Sequence, residues 1–82
     1  MIRVRVRFFA MLQEVTGVDA FELELPPGAT GVEFWNRVID RFPALEAYRH
    51  QSRLAVNQEY VTGDVSLQDG DEVSIIPPVS GG

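Results

Sequence analysis

The 82-residue sequence contains no cysteine and no lysine, and each absence narrows the chemistry available to the chain. Without cysteine there is no disulfide framework, no thiolate metal site and no thiol nucleophile. Without lysine, no side-chain amine can attack an activated carboxyl group, which excludes lysine-linked chains of this protein. The sequence also has no apolar run long enough to span a bilayer and no signal-peptide pattern at its start. We therefore expect a cytoplasmic protein with no membrane partner.

The net charge of the chain, and the lack of residues at the spacing that catalysis or metal binding needs, exclude further functions. Seven arginines and twelve acidic residues give a net charge of −5, which argues against a nucleic-acid partner. The single histidine, His50, has no partners at triad or metal-ligand spacing, and we expect it to be a solvated surface residue. Asp69, Asp71 and Glu72 surround a turn. We interpret them as polar residues that favour the turn rather than as catalytic acids or bases. We therefore expect no metal site and no intrinsically bound cofactor.

Two alternating segments predict a β-hairpin. Residues 2–8 alternate apolar side chains with Arg3, Arg5 and Arg7, and residues 21–25 alternate them with Glu22 and Glu24. Pairing the two strands places arginines opposite glutamates, which is a favourable cross-strand arrangement. The pattern therefore favours a solvated ion-pair face over an anion-binding site.

The main helix is predicted from its ends and its apolar spacing. Thr30 and Glu33 form a capping box at its start, and Pro43 ends it. We expect Trp35 to be a core anchor rather than a ligand platform, and Phe34 to be partly exposed. The buried stripe is predicted to comprise Val32, Trp35, Val38, Ile39 and Phe42.

The remaining segments complete the predicted fold. Residues 10–16 form a short helical turn that stops at Gly17, and residues 53–57 and 72–76 form strands. Residues 58–61 form either a turn or a short strand. The order predicts an α+β fold of the β-grasp (ubiquitin-like) type, in which a mixed sheet packs on one main helix. The first and last strands would be central and parallel, and the domain would span residues 1–76.

Residues 77–82 are predicted to form a flexible C-terminal tail. The proline pair that follows the last strand cannot donate ladder hydrogen bonds and favours an extended backbone. Six extended residues reach about 20 Å, and two terminal glycines occur by chance in roughly one chain in 200. The Gly82 carboxylate would therefore be an unhindered reactive group, with Gly81 and Ser80 behind it.

The root of this tail is the predicted docking surface. Val73 and Ile75 are expected to face the core, so Ile76 should point to the outer face of the sheet. There it would lie beside the arginine stripe formed by Arg3, Arg5 and Arg7. Phe9, just past the first strand, is expected near the same surface. Small exposed apolar patches commonly mark partner sites. The predicted partner-binding residues are Phe9, Ile76, Pro77, Pro78 and Val79.

Three segments resemble the ubiquitin-like sulfur carriers, and within them the small subunits of molybdopterin synthase. They are residues 2–10 (IRVRVRFFA), 54–58 (LAVNQ) and 69–82 (DGDEVSIIPPVSGG), and the resemblance spans essentially the whole chain. Many members carry threonine where this chain has Ser80, and serine keeps the hydroxyl. The short helical turn after the first strand favours this branch over the thiamine-pathway carriers.

The resemblance implies a sulfur-donating subunit that is not catalytic alone. An E1-like adenylyltransferase would use ATP to join Gly82 to AMP, and a sulfur donor protein would convert it to a thiocarboxylate. The tail would then enter the large subunit of a heterotetrameric molybdopterin synthase. There the sulfur would attack a cyclic pyranopterin monophosphate, building the dithiolene of molybdopterin.

Three alternatives to this function stay open at this point. The sulfur could go to tRNA or to the thiamine thiazole. The chain could be a ubiquitin-like modifier joined through Gly82 to a lysine of a target. It could also be a β-grasp interaction module whose diglycine is incidental.

Overall fold

The computed structural model describes residues 1–62 and 65–78 of the chain. Every predicted strand and helix within them is present, and residues 58–61 contain a short strand after a turn. Residues 79–82 of the predicted tail lie outside the described residues, so the boundary at residue 76 stays a prediction. The elements, in chain order, are β1 (Ile2–Phe8), α1 (Met11–Thr16), β2 (Ala20–Leu25), α2 (Gly31–Arg41), a 3₁₀ helix (Pro43–Tyr48), β3 (Arg53–Val56), β4 (Glu59–Tyr60) and β5 (Glu72–Ile76).

The described strands form one mixed sheet in the order β2-β1-β5-β3-β4. β1 and β5 lie side by side in parallel at its centre, and the other pairs are antiparallel. In the β1–β2 hairpin Arg3 is opposite Glu24 and Arg5 is opposite Glu22, as the alternation predicts. Parallel neighbours require a long crossover, which the hairpin, α2 and β3 provide. This confirms the predicted β-grasp architecture.

Helix α2 begins with the predicted capping box. The Thr30 hydroxyl accepts a hydrogen bond from the Glu33 amide at 3.3 Å, and the Glu33 carboxylate accepts one from the Thr30 amide at 3.2 Å. These two reciprocal bonds satisfy donors that a helix start otherwise leaves free. The first turn is thereby fixed by two side chains that are three positions apart in the sequence.

The predicted buried stripe of α2 is wrong at one end. Val32 is 60% exposed, whereas Phe34, expected to be partly exposed, is 0% exposed. The buried face is formed by Phe34, Trp35 and Val38, so its centre lies about 110° around the helix from Val32. The apolar positions of α2 are compatible with either face, and packing against the sheet selects the one that buries the larger aromatic side chain.

The core lies between the inner face of the sheet and α2. Phe8 of β1 stacks on Phe21 of β2 at 5.8 Å between ring centroids, and Phe42 meets both rings edge-on at 5.5 and 5.1 Å. Fully burying one such ring stabilises the fold by about 1.5–3 kcal/mol. Of the three rings, Phe8 is fully buried, and Phe21 and Phe42 are half-buried. The other fully buried large side chains are Val4, Val6, Leu12, Leu25, Phe34, Val38, Leu45, Leu67, Val73 and Ile75.

The acidic turn before β5 has a structural role. An Asp69 carboxylate oxygen accepts a hydrogen bond from the Arg3 amide at 2.8 Å, and Asp71 accepts one from the Gln68 amide at 2.8 Å. The Asn57 side chain donates to Asp71 at 3.0 Å, so this turn is tied to the β3–β4 turn. These bonds confirm the interpretation of the acidic residues as turn chemistry.

Candidate functional site

Strand β5 leads directly to the predicted docking residues. Val73 and Ile75 are fully buried on the inner face, and Ile76 lies on the outer face and is half-buried. Phe9 is also half-buried, Pro77 is buried and Pro78 is exposed, while Val79, Ser80, Gly81 and Gly82 lie outside the described residues. The predicted orientation of Ile76 is confirmed, and the docking role stays a prediction. We name the accessible residues of this set, Phe9, Ile76 and Pro78, the tail-root surface.

Phe9 and Ile76 line a shallow groove of about 320 Å³ on the outer face of the sheet. Its floor contains two small residues, Ser74 of β5 and Ala55 of β3, which are 5% exposed each. They are direct cross-strand partners. Because both side chains are small, the groove is open above them, and a partner side chain could approach the sheet closely there.

Two arginine–aromatic contacts flank this groove. The guanidinium carbon of Arg7 lies 5.1 Å from the centroid of the Phe9 ring, and Arg7 Nη1 lies 3.5 Å from the Glu72 carboxylate. The guanidinium carbon of Arg53 lies 4.2 Å from the centroid of the Tyr60 ring. Cation–π contacts of this kind are worth about 0.5–1 kcal/mol at exposed sites. They hold both arginines beside the groove, where Phe9 and Ile76 supply the apolar surface and the charge of Arg7 is paired with that of Glu72.

The far end of the arginine stripe is neutralised. Arg3 lies 3.6 Å from a carboxylate oxygen of Glu22 and 3.6 Å from one of Glu24, and all three side chains are mostly exposed. Exposed pairs of this kind contribute about 0–1 kcal/mol to stability. This geometry confirms the predicted ion-pair face, which continues at the tail end of the sheet with the pair of Arg7 and Glu72.

Sequence reasoning missed three residues that line the groove, Ala55, Tyr60 and Ser74, and also Arg53, which flanks it. The alternation in residues 53–57 places Arg53 and Ala55 on one face, and that was the available signal. Their position beside the tail depends on register, because Arg53 is opposite Ile76 and Ala55 is opposite Ser74. Pairing between residues about twenty positions apart is not encoded in a local pattern.

The described residues were searched for a metal site and for a membrane-spanning helix. Within residues 1–62 and 65–78, no group of three or more histidine, cysteine, aspartate or glutamate residues is placed to hold a metal ion. Over the same ranges, no helix has both the length and the apolar character needed to cross a membrane. His50 is exposed, as predicted. The fold is a β-grasp, and its last strand ends beside an open groove on the outer face of the sheet.

Comparison with known proteins identifies the family. The family model described as the ThiS family matches residues 6–82. The chain is 40% identical over 81 residues to the molybdopterin synthase sulfur carrier subunit of Arabidopsis thaliana, covering 99% of this chain and 84% of that protein. The chain therefore belongs to the ThiS family. This confirms the resemblance to the sulfur carriers.

Two solved structures show the same fold. The putative molybdopterin converting factor, subunit 1, of Pyrococcus furiosus superposes with a TM-score of 0.85 at 33% identity, covering 96% of this chain and 100% of that one. The second is the protein–protein complex of subunits 1 and 2 of the molybdopterin-converting factor from Helicobacter pylori. It matches with a TM-score of 0.73 at 26% identity, covering 99% of this chain and 100% of that one.

Proposed function

We propose that this chain is the sulfur carrier subunit of a molybdopterin synthase. The observation that carries the proposal is the 40% identity, over 99% of this chain, to a plant protein of that name. The tail-root surface agrees with it, because a carrier needs a docking site where its tail begins. The β-grasp fold alone would not suffice, since one fold hosts several functions.

The chemistry of the proposed function takes place at Gly82. An α-carboxylate is ionised at neutral pH and can attack the α-phosphate of ATP, releasing pyrophosphate and leaving an acyl adenylate. The terminal sulfur of a persulfide on a donor protein then displaces AMP to give an acyl disulfide, and attack of a second thiol on its S–S bond leaves a thiocarboxylate on the glycine and a disulfide on the thiol side. Gly81 and Gly82 have no Cβ, so two different enzymes can enclose this end closely. The described residues act as the scaffold, and the partner enzymes supply the catalytic groups.

The proposed partners are the large synthase subunit, an E1-like adenylyltransferase and a sulfur donor protein, all in the cytoplasm. The complex of two subunits from Helicobacter pylori supports the first of these, because one of its chains matches the present chain. The tail-root surface would contact the large subunit and the adenylyltransferase in turn, since both must hold the same tail. The large subunit would then direct the sulfur to a cyclic pyranopterin monophosphate.

Intact-mass spectrometry tests the carrier chemistry directly. After incubation with ATP, the adenylyltransferase and the sulfur donor, the wild-type chain should show one terminal oxygen replaced by sulfur. With the large subunit and pterin substrate added, molybdopterin should form. Deleting Gly82, or adding one residue after it, should abolish both products without changing the unfolding midpoint. Ser80→Thr serves as the matched control, because it restores the residue common in the family and should keep both products.

Each alternative predicts a different result. Sulfur transfer from the modified chain to tRNA or to a thiazole precursor, with none to the pterin, would replace the recipient while keeping the carrier chemistry. Adducts on lysines of other proteins would identify a modifier. Full molybdopterin formation by the chain lacking Gly82 would exclude the tail mechanism.

A further inference from the structure

A serine lies at the floor of the groove on the outer face of the sheet. Among the described residues, Ser74 of β5 is the one polar residue that is buried, with only 5% of its surface exposed. It lines the groove of about 320 Å³ that Phe9 and Ile76 border beside the tail root. We name this groove the outer groove.

The hydroxyl of Ser74 is not used by the fold. It has no hydrogen-bond partner among residues 1–62 and 65–78. In those ranges, the side-chain oxygen that is both sealed from solvent and without a partner belongs to Ser52 instead. The Ser74 oxygen is therefore reached by solvent through the outer groove, and water can bond to it in the free chain.

The cross-strand row that contains Ser74 explains why its hydroxyl is accessible. Ser74 is opposite Arg7 of β1 on one side and Ala55 of β3 on the other. Ala55 is in turn opposite Tyr60 of β4. Neighbouring strands are about 4.8 Å apart, so the strands that carry the two long side chains are about 14 Å apart. The two small residues lie between them, which leaves room for a side chain from outside.

The other lining residues define the chemistry of an occupant. Phe9 and Ile76 form an apolar end beside the tail, whereas Gln58 and Glu72 form a polar end. The Glu72 carboxylate lies 3.5 Å from Nη1 of Arg7, so these two charges balance each other. A side chain that enters from the tail end would meet carbon atoms first and a hydroxyl behind them. A neutral polar tip suits this site better than a charged one.

A partner that encloses the tail would also cover the outer groove. Ile76 is the last residue of β5 and lines the groove, so the tail begins at its edge. Covering the groove removes the water from Ser74. A hydroxyl that loses water without gaining a hydrogen bond weakens binding, whereas a matched one favours the correct partner.

We propose that the large synthase subunit inserts one side chain with an apolar stem and an amide or hydroxyl tip into the outer groove. The stem packs on Phe9 and Ile76, and the tip forms a hydrogen bond with Oγ of Ser74. This proposal rests on the proposed function, because it takes the large subunit as the partner. It adds that Ser74 is a specificity-determining residue of the complex.

Two substitutions in the outer groove test the proposal in different ways. Ser74→Ala removes the hydroxyl, and the fold should not change because the hydroxyl has no partner in the described residues. Ala55→Leu fills the groove from its floor, where the open space accommodates the longer side chain. Ser66→Ala is the matched control, since Ser66 is exposed and outside the groove lining.

The measurement is isothermal titration calorimetry of each full-length chain with the large subunit. Ser74→Ala should weaken the complex by about tenfold, because it leaves the polar tip of the partner without its hydrogen bond. Ala55→Leu should weaken it by about tenfold or more, since it occupies the space of the inserted side chain. Ser66→Ala should stay within about twofold of wild type. Thermal unfolding midpoints of the free variants should match that of wild type.

The direction of the Ser74→Ala effect distinguishes the occupants. Tighter binding would identify an apolar tip, since the substitution would remove a hydroxyl that the complex buries without a partner. Equal binding would show that water still reaches Ser74 in the complex. Wild-type affinity of Ala55→Leu would show that no side chain fills the groove. Each of these results contradicts the proposal, whereas the proposed function is tested separately by thiocarboxylate and molybdopterin formation with the wild-type chain.

Discussion

Ala10 has a backbone conformation that glycine adopts more easily than alanine. Its φ is 52° and its ψ is −132°, and it lies between Phe9 of the tail-root surface and the first residue of α1. Non-glycine residues in such regions cost about 1–3 kcal/mol each. The chain carries this strain at the point where it turns away from the sheet, directly beside a predicted docking residue.

We expect Ala10→Gly to raise the free energy of unfolding by about 1 kcal/mol, because glycine removes the strain at a smaller cost in chain entropy. Urea denaturation followed by Trp35 fluorescence measures the change. Ala44→Gly in the 3₁₀ helix is the control, since Ala44 has no such strain and glycine should destabilise the chain there. A lower unfolding midpoint for both variants would show that Ala10 is not strained.

The residues of the candidate site divide into predictable and unpredictable ones for a physical reason. The direction of Ile76 follows from the alternation of side chains along one strand, which is local information. The positions of Arg53 and Tyr60 follow from the register of β3 against β5 and β4, which only the folded sheet determines.

In helix α2, too, some features could be predicted from the local sequence and one could not. Its capping box and its end before Pro43 were predicted, because both depend on hydrogen bonds and backbone restrictions within a few residues. The buried face of the helix was not predicted correctly, since Val32 and Phe34 are both apolar and lie on different sides of the helix. The sheet decides between them by burying Phe34.

Paired alanine substitutions on α2 test which face carries the stability. Phe34→Ala should lower the free energy of unfolding by about 3–5 kcal/mol, because it removes a fully buried ring and leaves a cavity. Val32→Ala should change it by less than about 0.5 kcal/mol, since Val32 is largely exposed. Chemical denaturation of the two variants measures both values. Similar losses in the two variants would return Val32 to the core.

Across the whole molecule, the two faces of the sheet have different tasks. The inner face holds the buried residues of β1 and β5, and the outer face carries arginines, the small residues Ser74 and Ala55, and the tail-root surface. The overall fold could be predicted because alternation, capping and turn signals all agree with one topology. Stability should therefore depend on the inner face and partner binding on the outer one.

Ile76→Asp separates these two tasks. The substitution should weaken the complex with the large synthase subunit by about tenfold or more, because it places a charge in the apolar centre of the tail-root surface. Folding should be retained, since the new carboxylate would lie opposite Arg53, a favourable cross-strand pair. Isothermal titration calorimetry gives the affinity, and thermal unfolding of the free chain gives the stability.

Val18→Asp provides the comparison for Ile76→Asp. Val18 is another exposed apolar residue, 37% exposed and outside the tail-root surface, so the same change in charge there should leave the affinity within about twofold of wild type. An undiminished complex with Ile76→Asp would show that the large subunit does not use the tail-root surface. A loss of folding in that variant would show that Ile76 belongs to the stabilising core. Only weaker binding by a folded chain supports an outer face built for docking beside the tail.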